Sequence, residues 1–233
     1  MEEKQRCRKT KPTAATEQQS WRWPSDMLFD WWAGTSSASA KAAESALLQY
    51  VRAPYTSMMV PIKMNVRSWF GSSTVPAHIN TIEVNPAKAT HAIPVVVAHG
   101  LGSGLGLNYR NYDDLAELGG GRRILAFDWL GQGRSTRVEF PRRSSLFPSD
   151  QRENIRAGIQ YYVDSVEEWR KAVGLEQFDL IAHSLGGYFA SHYALQNPGR
   201  VRRLVLVSPC GLPSPPPPSP QDSGRSLPWQ ATV

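Results

Sequence analysis

The stretch that decides the fold is AHSLGG, at residues 182–187. An apolar run at 178–182 precedes it and predicts a buried strand, and a helical pattern begins at 185. A serine in a sharp turn between a strand and a helix is typical of a nucleophile elbow, which lifts the hydroxyl above the edge of the sheet. We therefore interpret Ser184 as a catalytic nucleophile. The alternative is a serine that only caps the following helix.

The residues next to Ser184 fit this elbow for steric reasons. The pattern is G-x-S-x-G, with Ala182 in place of the first glycine. We expect any larger side chain at Ala182 or Gly186 to strike the packing between strand and helix. His183 completes the elbow, and we expect its side chain to point away from the nucleophile across the turn.

A glycine-rich loop, HGLGSGLG at 99–106, follows another apolar run at 93–98. A loop at this place presents backbone N–H groups to a developing oxyanion, and the second donor is the residue after the nucleophile. The predicted oxyanion donors are the N–H groups of Leu101 and Leu185. The predicted loop residues are His99, Gly100 and Gly102. A dinucleotide-binding loop is the alternative, but the spacing of its third glycine does not fit.

A third motif, DWLGQGRS at 128–135, closes a predicted strand at 124–127. Its glycines permit a tight turn beside the site, and we interpret Asp128 as a structural residue that accepts hydrogen bonds from loop amides.

Strands and helices alternate along most of the chain, which predicts an α/β fold with a mostly parallel sheet and flanking helices. The predicted strands are 64–70, 78–84, 93–98, 124–127, 178–182 and 203–207. The turn-rich stretch GSSTVPA separates the first two of these strands. The predicted helices are a segment ended by Pro54, 109–118, 150–173 and 185–196.

Length and composition narrow the class of protein. The chain has 233 residues, 41% of them hydrophobic and 20% charged, which fits one globular domain. No apolar run approaches the roughly 18 residues of a membrane span. The two cysteines, Cys7 and Cys210, are too far apart for a disulfide scaffold and fit a reducing compartment. We expect no metal, because no Cys/His cluster has ligand spacing, and no cofactor.

The net charge of +6 suits nucleic acid, an anionic membrane or plain solubility. No nucleic-acid-binding motif accompanies it, so we expect no nucleic-acid partner. No apolar signal segment opens the chain, and we expect a cytoplasmic protein that is peripheral on lipid droplets or membranes, with the mitochondrion as the alternative compartment.

The two ends of the chain differ from its centre. We predict a disordered basic segment at 1–20, a Trp-rich and helical lipid-interface segment at 21–57, a partial catalytic domain at 58–212 and a disordered Pro/Ser-rich tail at 213–233. Half of the eight tryptophans occur in the second segment: Trp21, Trp23, Trp31 and Trp32. Their amphipathic rings suit a lipid interface, with packing against the core as the alternative.

Together these motifs resemble the front half of the α/β-hydrolase fold. The stretches HGLGSGLGLNYRNYDDLA, FDWLGQGRS and SVEEWRKAVGLEQFDLIAHSLGGYFASHYALQNPGRVRRLVLVSPCGLP are similar to a lipid-active branch of that family. This branch includes lysophosphatidate acyltransferases, N-acylphospholipid lipases and a lipase coactivator. The resemblance covers about residues 21–213 and implies a phospholipid or lysophospholipid substrate, with a lipase or lipid-droplet protein as a further partner.

The sequence departs from the family after Ser184. In this fold the acid and the histidine of the triad follow the serine in the chain. Here the following histidine is His192, which the helix carries roughly 12 Å away, and the following acid is Asp222 in the proline-rich tail. We therefore expect a chain that lacks the last strands of the fold.

The resemblance implies serine-dependent lipid hydrolysis or acyl transfer, impaired in this chain by the missing base. The alternative is a non-catalytic lipid-droplet-associated regulator or coactivator of a lipase. Ser184 favours the catalytic members, because the coactivator of the branch lacks a serine at this place.

Overall fold

Six strands form one mixed sheet in the computed structural model, which describes residues 36–68, 71–85, 92–118, 122–140 and 148–211. Their spatial order is β1-β2-β4-β3-β5-β6. The strands are β1 (Tyr55–Ser68), β2 (Gly71–Val84), β3 (Val95–Ala98), β4 (Ile124–Phe127), β5 (Phe178–His183) and β6 (Val201–Val207). Strands β4, β3, β5 and β6 are mutually parallel, and β2 pairs antiparallel with β4. The predicted α/β fold with a mostly parallel centre is confirmed.

Two apolar cores cover the two faces of this sheet. Every residue of β3 and of β4 is buried, which is why these strands read as uninterrupted apolar runs instead of alternating patterns. One core contains Trp169, Phe178 and Tyr193, and the other contains Leu48 and Tyr112. Helices on both faces therefore supply the cover that a parallel sheet requires.

Among the described residues, four α-helices provide this cover: α1 (Ser37–Leu48), α2 (Tyr109–Leu118), α3 (Pro148–Ala172) and α4 (Leu185–Gln196). The bounds of α2 and α4 coincide with the helices predicted from apolar periodicity. Helix α1 ends at Leu48, six residues before its predicted end at Pro54. The difference arises because the chain already turns towards β1 at residues 49–54. None of these helices in the described ranges is both long and apolar enough to cross a bilayer.

The predicted turn at GSSTVPA is wrong, because those residues belong to β2. They pair antiparallel with β1, with Val75 opposite Met64 and Ala77 opposite Ile62. Ala77 is fully buried, so this half of the strand is fixed by pairing and packing although its glycine, serine and proline content favours a turn. The hairpin closes between Ser68 and Gly71 instead.

Strand β6 forms one edge of the sheet. It pairs with β5, and no other strand of the described ranges pairs with its outer side. Val205 and Val207 are 48% and 44% exposed, unlike the valines of β3. An apolar edge strand of this kind favours association with another strand.

Candidate active site

Ser184 lies in a strained turn between β5 and α4. Its backbone angles are φ 53° and ψ −124°, in a region that a non-glycine residue occupies at a cost of about 1–3 kcal/mol. Backbone hydrogen bonds hold it there. Its N–H donates to the carbonyl of Val207 at 3.0 Å, and its carbonyl accepts from the N–H groups of Gly187 at 2.9 Å and Cys210 at 3.2 Å. This is the geometry of a nucleophile elbow.

The first turn of α4 approaches the end of β3 so closely that position 186 has no room for a side chain. A Cβ on Gly186 would overlap the carbonyl oxygen of His99. Ala182 is fully buried in β5, opposite Ala98 of β3. The steric reason for small residues around the elbow therefore lies in the contact between α4 and the strand that carries the glycine-rich loop.

The glycine-rich loop lies directly against Ser184. A Cβ on Gly100 would be 2.9 Å from the Cβ of Ser184. Leu101 follows Gly100, and Leu185 opens α4, so both predicted donors lie at the carboxyl ends of the neighbouring parallel strands β3 and β5. The amino end of α4 adds a positive partial charge at the same place.

His99 is a buried part of this loop, and both of its ring nitrogens contact backbone groups. Burial lowers its pKa, with partial compensation from the Gly100 carbonyl and from Asp128. Its Nε2 accepts a hydrogen bond from the N–H of Trp129 at 3.3 Å, and its Nδ1 lies 2.7 Å from the Gly100 carbonyl. These contacts require a neutral imidazole with the proton on Nδ1. His99 therefore holds the loop to the end of β4.

Asp128 connects three segments of the chain beneath the site. It is almost fully buried, and its carboxylate accepts from the N–H groups of Leu105 at 2.7 Å and Arg134 at 2.9 Å. A third hydrogen bond comes from the side-chain amide of Asn80 at 2.8 Å. Close packing also excludes a side chain at Gly133, whose Cβ would overlap this carboxylate. Asp128 thus bonds loop amides, as the sequence motif indicates.

A further set of polar residues connects α1 to the residues that contact Asp128. Glu44 of α1 accepts from the side-chain amide of Asn80 at 2.6 Å and pairs with the guanidinium of Arg134. Gly106 of the loop also packs against Glu44 and Leu47. Sequence reasoning missed this group, because Glu44 carries no motif and the contact spans 90 residues. The only signal for Arg134 is its place inside DWLGQGRS.

Two other histidines lie near the elbow in the chain. The Nδ1 atom of His183 would be 3.1 Å from a Cβ on Gly100, so this side chain lies nearer the site than expected. The ring of His192 packs against Tyr188 one turn earlier in α4, with the ring centres 4.7 Å apart. Asp222 and the four predicted interface tryptophans, Trp21, Trp23, Trp31 and Trp32, lie outside the described residues.

A family model for the alpha/beta hydrolase fold matches residues 93–232, which is more than half of the chain. The chain belongs to the α/β-hydrolase fold family. It is 38% identical over 197 residues to an Oryza sativa protein named as a probable 1-acylglycerol-3-phosphate O-acyltransferase, covering 82% of the chain and 43% of that protein. It is 34% identical over 197 residues to human (lyso)-N-acylphosphatidylethanolamine lipase, covering 84% of the chain and 50% of the lipase.

These relatives confirm the predicted branch of the family. This α/β-hydrolase chain spans half the length of the matched relatives or less. The solved structure of carboxylesterase CesB from Bacillus subtilis superposes with a TM-score of 0.51 at 20% identity, over 74% of the chain and 50% of the esterase. At that identity the superposition shows the fold alone.

We predict that Gly186→Ala destabilises this hydrolase domain by about 1–3 kcal/mol, because the new methyl group overlaps the His99 carbonyl. Urea unfolding followed by circular dichroism measures the change. Gly199→Ala is the matched control, because nothing lies within 4 Å of its Cβ position and its φ is not positive. Equal stability of the two variants would show that α4 and β3 do not approach as closely as described.

We also predict that Asp128→Asn lowers the free energy of unfolding by about 2–4 kcal/mol. The substituted amide keeps one acceptor oxygen but turns its NH₂ group towards at least one of the three donors, and each unsatisfied buried group costs about 1–3 kcal/mol. Hydrogen exchange at Leu105 and Arg134 should accelerate in parallel. The exposed Asp114, changed to Asn, provides the control. Unchanged exchange at both amides would contradict the structural role of Asp128.

Proposed function

We propose that this chain carries the nucleophile half of a serine-dependent lipid hydrolase or acyltransferase, with a phospholipid or lysophospholipid as substrate. The observation that carries the proposal is the strained Ser184 elbow packed against Gly100. The relatives named as acylglycerol-phosphate acyltransferase and acylphospholipid lipase support lipid acyl chemistry at the level of the family. Whether the acyl group passes to water or to a lysophospholipid distinguishes the two activities.

In the proposed reaction, the hydroxyl oxygen of Ser184 attacks the carbonyl carbon of an acyl ester. The carbonyl electrons move onto oxygen, and the N–H groups of Leu101 and Leu185 stabilise the resulting oxyanion. The C–O bond to the leaving alcohol then breaks, and the alcohol takes the proton that the hydroxyl of Ser184 has lost. An acyl-serine remains. Water or the hydroxyl of a lysophospholipid attacks this acyl-serine and regenerates Ser184.

The proton transfers need a base, and among the described residues no histidine is hydrogen-bonded to the hydroxyl of Ser184. His99 is buried, neutral and hydrogen-bonded elsewhere, and His192 packs on Tyr188. This observation favours a second candidate function, a non-catalytic regulator that uses the same fold to bind lipid or a lipase. In the fold family the base follows the nucleophile in the chain, and this chain spans half the length of the matched relatives or less.

We expect the 233-residue chain assayed alone to hydrolyse a nitrophenyl ester or a lysophospholipid only weakly. A serine hydroxyl without its base stays protonated, and loss of one triad member costs on the order of 10⁶ in turnover. Ser184→Ala should change this weak rate by less than about twofold, since the oxyanion donors and binding remain. Ordinary turnover abolished by Ser184→Ala would reveal a base, and His183→Ala would then test the nearest candidate.

A chimera separates the catalytic proposal from the regulatory alternative. Residues 1–211 of this chain are joined to the remaining part of the Oryza sativa relative, which supplies the later strands. We expect turnover at least 10³-fold above that of the chain alone, and loss of that gain in the Ser184→Ala chimera. Both chimeras must show the same thermal unfolding. A folded chimera without serine-dependent turnover would favour the regulator.

We propose that the segment at 21–32 brings the protein to lipid surfaces through Trp21, Trp23, Trp31 and Trp32. Tryptophan rings bind at the boundary between acyl chains and headgroups. We expect deletion of residues 1–35 to reduce flotation with phospholipid vesicles strongly. Deletion of residues 1–20 is the control, because it removes basic charge and keeps the tryptophans. Equal flotation of the full chain and the chain without residues 1–35 would assign the tryptophans to another role.

A further inference from the structure

Three large apolar side chains around the glycine-rich loop are mainly exposed. Leu101 is 73% exposed, Tyr50 is 63% exposed and Leu107 is 59% exposed. We call these three residues the loop patch. Buried apolar partners exist beside them, because Leu105 between the two leucines is 1% exposed and packs in the core. The loop therefore turns Leu105 inward and leaves its two neighbouring leucines in solvent.

The loop patch lies on segments that contact one another. The short 3₁₀ helix Leu105–Asn108 packs on α1 through Gly106, whose Cβ position is 3.4 Å from Leu47. Tyr50, just after α1, contacts Tyr109 with ring centres 5.7 Å apart. A hydrogen bond from the hydroxyl of Tyr112 to the carbonyl of Leu105, 2.6 Å long, fixes the 3₁₀ helix from below. Leu107 and Tyr50 are thus carried by segments that pack against one another.

Leu101 is the most exposed of the three side chains. The next residue, Gly102, has φ +68° and nothing within 4 Å of its Cβ position. Leu101 also follows Gly100, which contacts Ser184. A surface that contacts Leu101 is therefore only one residue along the chain from Gly100, which borders Ser184.

The charges at the rim indicate what kind of surface fits. Arg110 lies over the ring of Tyr109 at 5.7 Å, while Asp114 and Glu117 are exposed on the same helix, α2. Asp113 accepts hydrogen bonds from the backbone and side chain of Arg52, so that pair is neutral overall. Mixed charge around an apolar centre suits a zwitterionic surface better than an anionic one.

The chain outside the described residues points to the same occupant. Four residues separate Trp32 from Ser37, where α1 begins, and α1 ends beside Tyr50. The proposed lipid-binding tryptophans therefore lead in sequence into α1, which Gly106 of the loop contacts and which Tyr50 follows.

We propose that the loop patch inserts into the surface of a phosphatidylcholine-type bilayer and so places the glycine-rich loop and Ser184 at the lipid. This inference rests on the proposed lipid acyl chemistry and adds to it a second contact surface, on the folded domain. Its function is to let a substrate ester move from the bilayer to Ser184 without crossing water.

The first experiment uses the full chain with Leu101→Ser and Leu107→Ser combined. We expect partition onto phosphatidylcholine vesicles to weaken about tenfold, which corresponds to about 1.4 kcal/mol. The loss should be the same at about 0.1 M and about 1 M salt, because apolar insertion is not screened. Leu195→Ser is the matched control. Leu195 is 79% exposed but lies ten residues along α4 from Leu185, about 15 Å from the elbow.

The second experiment reports the environment of position 101 directly. An environment-sensitive fluorophore is attached to Leu101→Cys, or to Leu195→Cys, in a chain with Cys7→Ser and Cys210→Ser. We expect vesicles to shift the emission of the first label to the blue and to leave the second unchanged. The proposal is wrong if the label at 101 does not respond, or if it is already shifted without vesicles, since another part of a protein then covers the patch.

The two proposals fail in different ways. An inactive chimera whose label at 101 still responds to vesicles would contradict the catalytic function and leave the lipid contact in place. An active chimera whose label stays in water would contradict the loop patch alone.

Discussion

The candidate site depends on how closely the first turn of α4 approaches the end of β3. Gly186 permits this approach, because any side chain there would overlap the carbonyl of His99. The same approach brings Ser184 against Gly100 and puts the amino end of α4 beside the glycine-rich loop. The strained backbone of Ser184 follows from it, since the chain must reverse direction within one residue to leave β5 and enter α4. Packing of neighbouring elements, and not any catalytic contact, therefore stabilises the strained turn.

Two buried polar side chains, those of His99 and Asp128, hold the loop in one conformation through hydrogen bonds. His99 is neutral and bridges the loop to Trp129, and Asp128 accepts from amides on either side. The carboxylate remains buried at acceptable cost because three hydrogen bonds satisfy it. Glu44 and Arg134 extend the network to α1. The helix that follows the tryptophan-rich segment is thereby coupled to the loop beside the nucleophile, by contacts that a change in either would disturb.

The sequence predicted those parts whose signals are local. The helices at 109–118 and 185–196 have clear apolar periodicity, and Asn197-Pro198 ends the second, so their bounds match α2 and α4. The strands at 124–127 and 178–182 are short apolar runs between breakers. The hairpin of β1 and β2 was beyond local reasoning, because cross-strand partners such as Met64 and Val75 decide where the turn lies.

The candidate site also contains some parts with local sequence signals and others that only long-range contacts determine. Small residues around Ser184 follow a local steric rule and were predictable, whereas the pairing of Glu44 with Arg134 joins residues that only the fold brings together. The position of His183 beside Gly100 also follows from the approach of two strands, not from its place next to the serine.

In the proposed lipid hydrolase or acyltransferase, the elbow and the base are physically separable parts. Among the described residues, the backbone hydrogen bonds of Ser184 come from β6, from α4 and from Cys210 just after β6, and its close packing contact comes from Gly100 just after β3. None of them requires a triad acid or histidine. In the proposed reaction, a preformed elbow next to the predicted oxyanion donors positions an acyl ester by geometry and electrostatics alone, and a base added beside it would complete the nucleophile. The rate gain on adding a base to this chain is therefore a measure of proton transfer, separate from the contribution of the preorganised site.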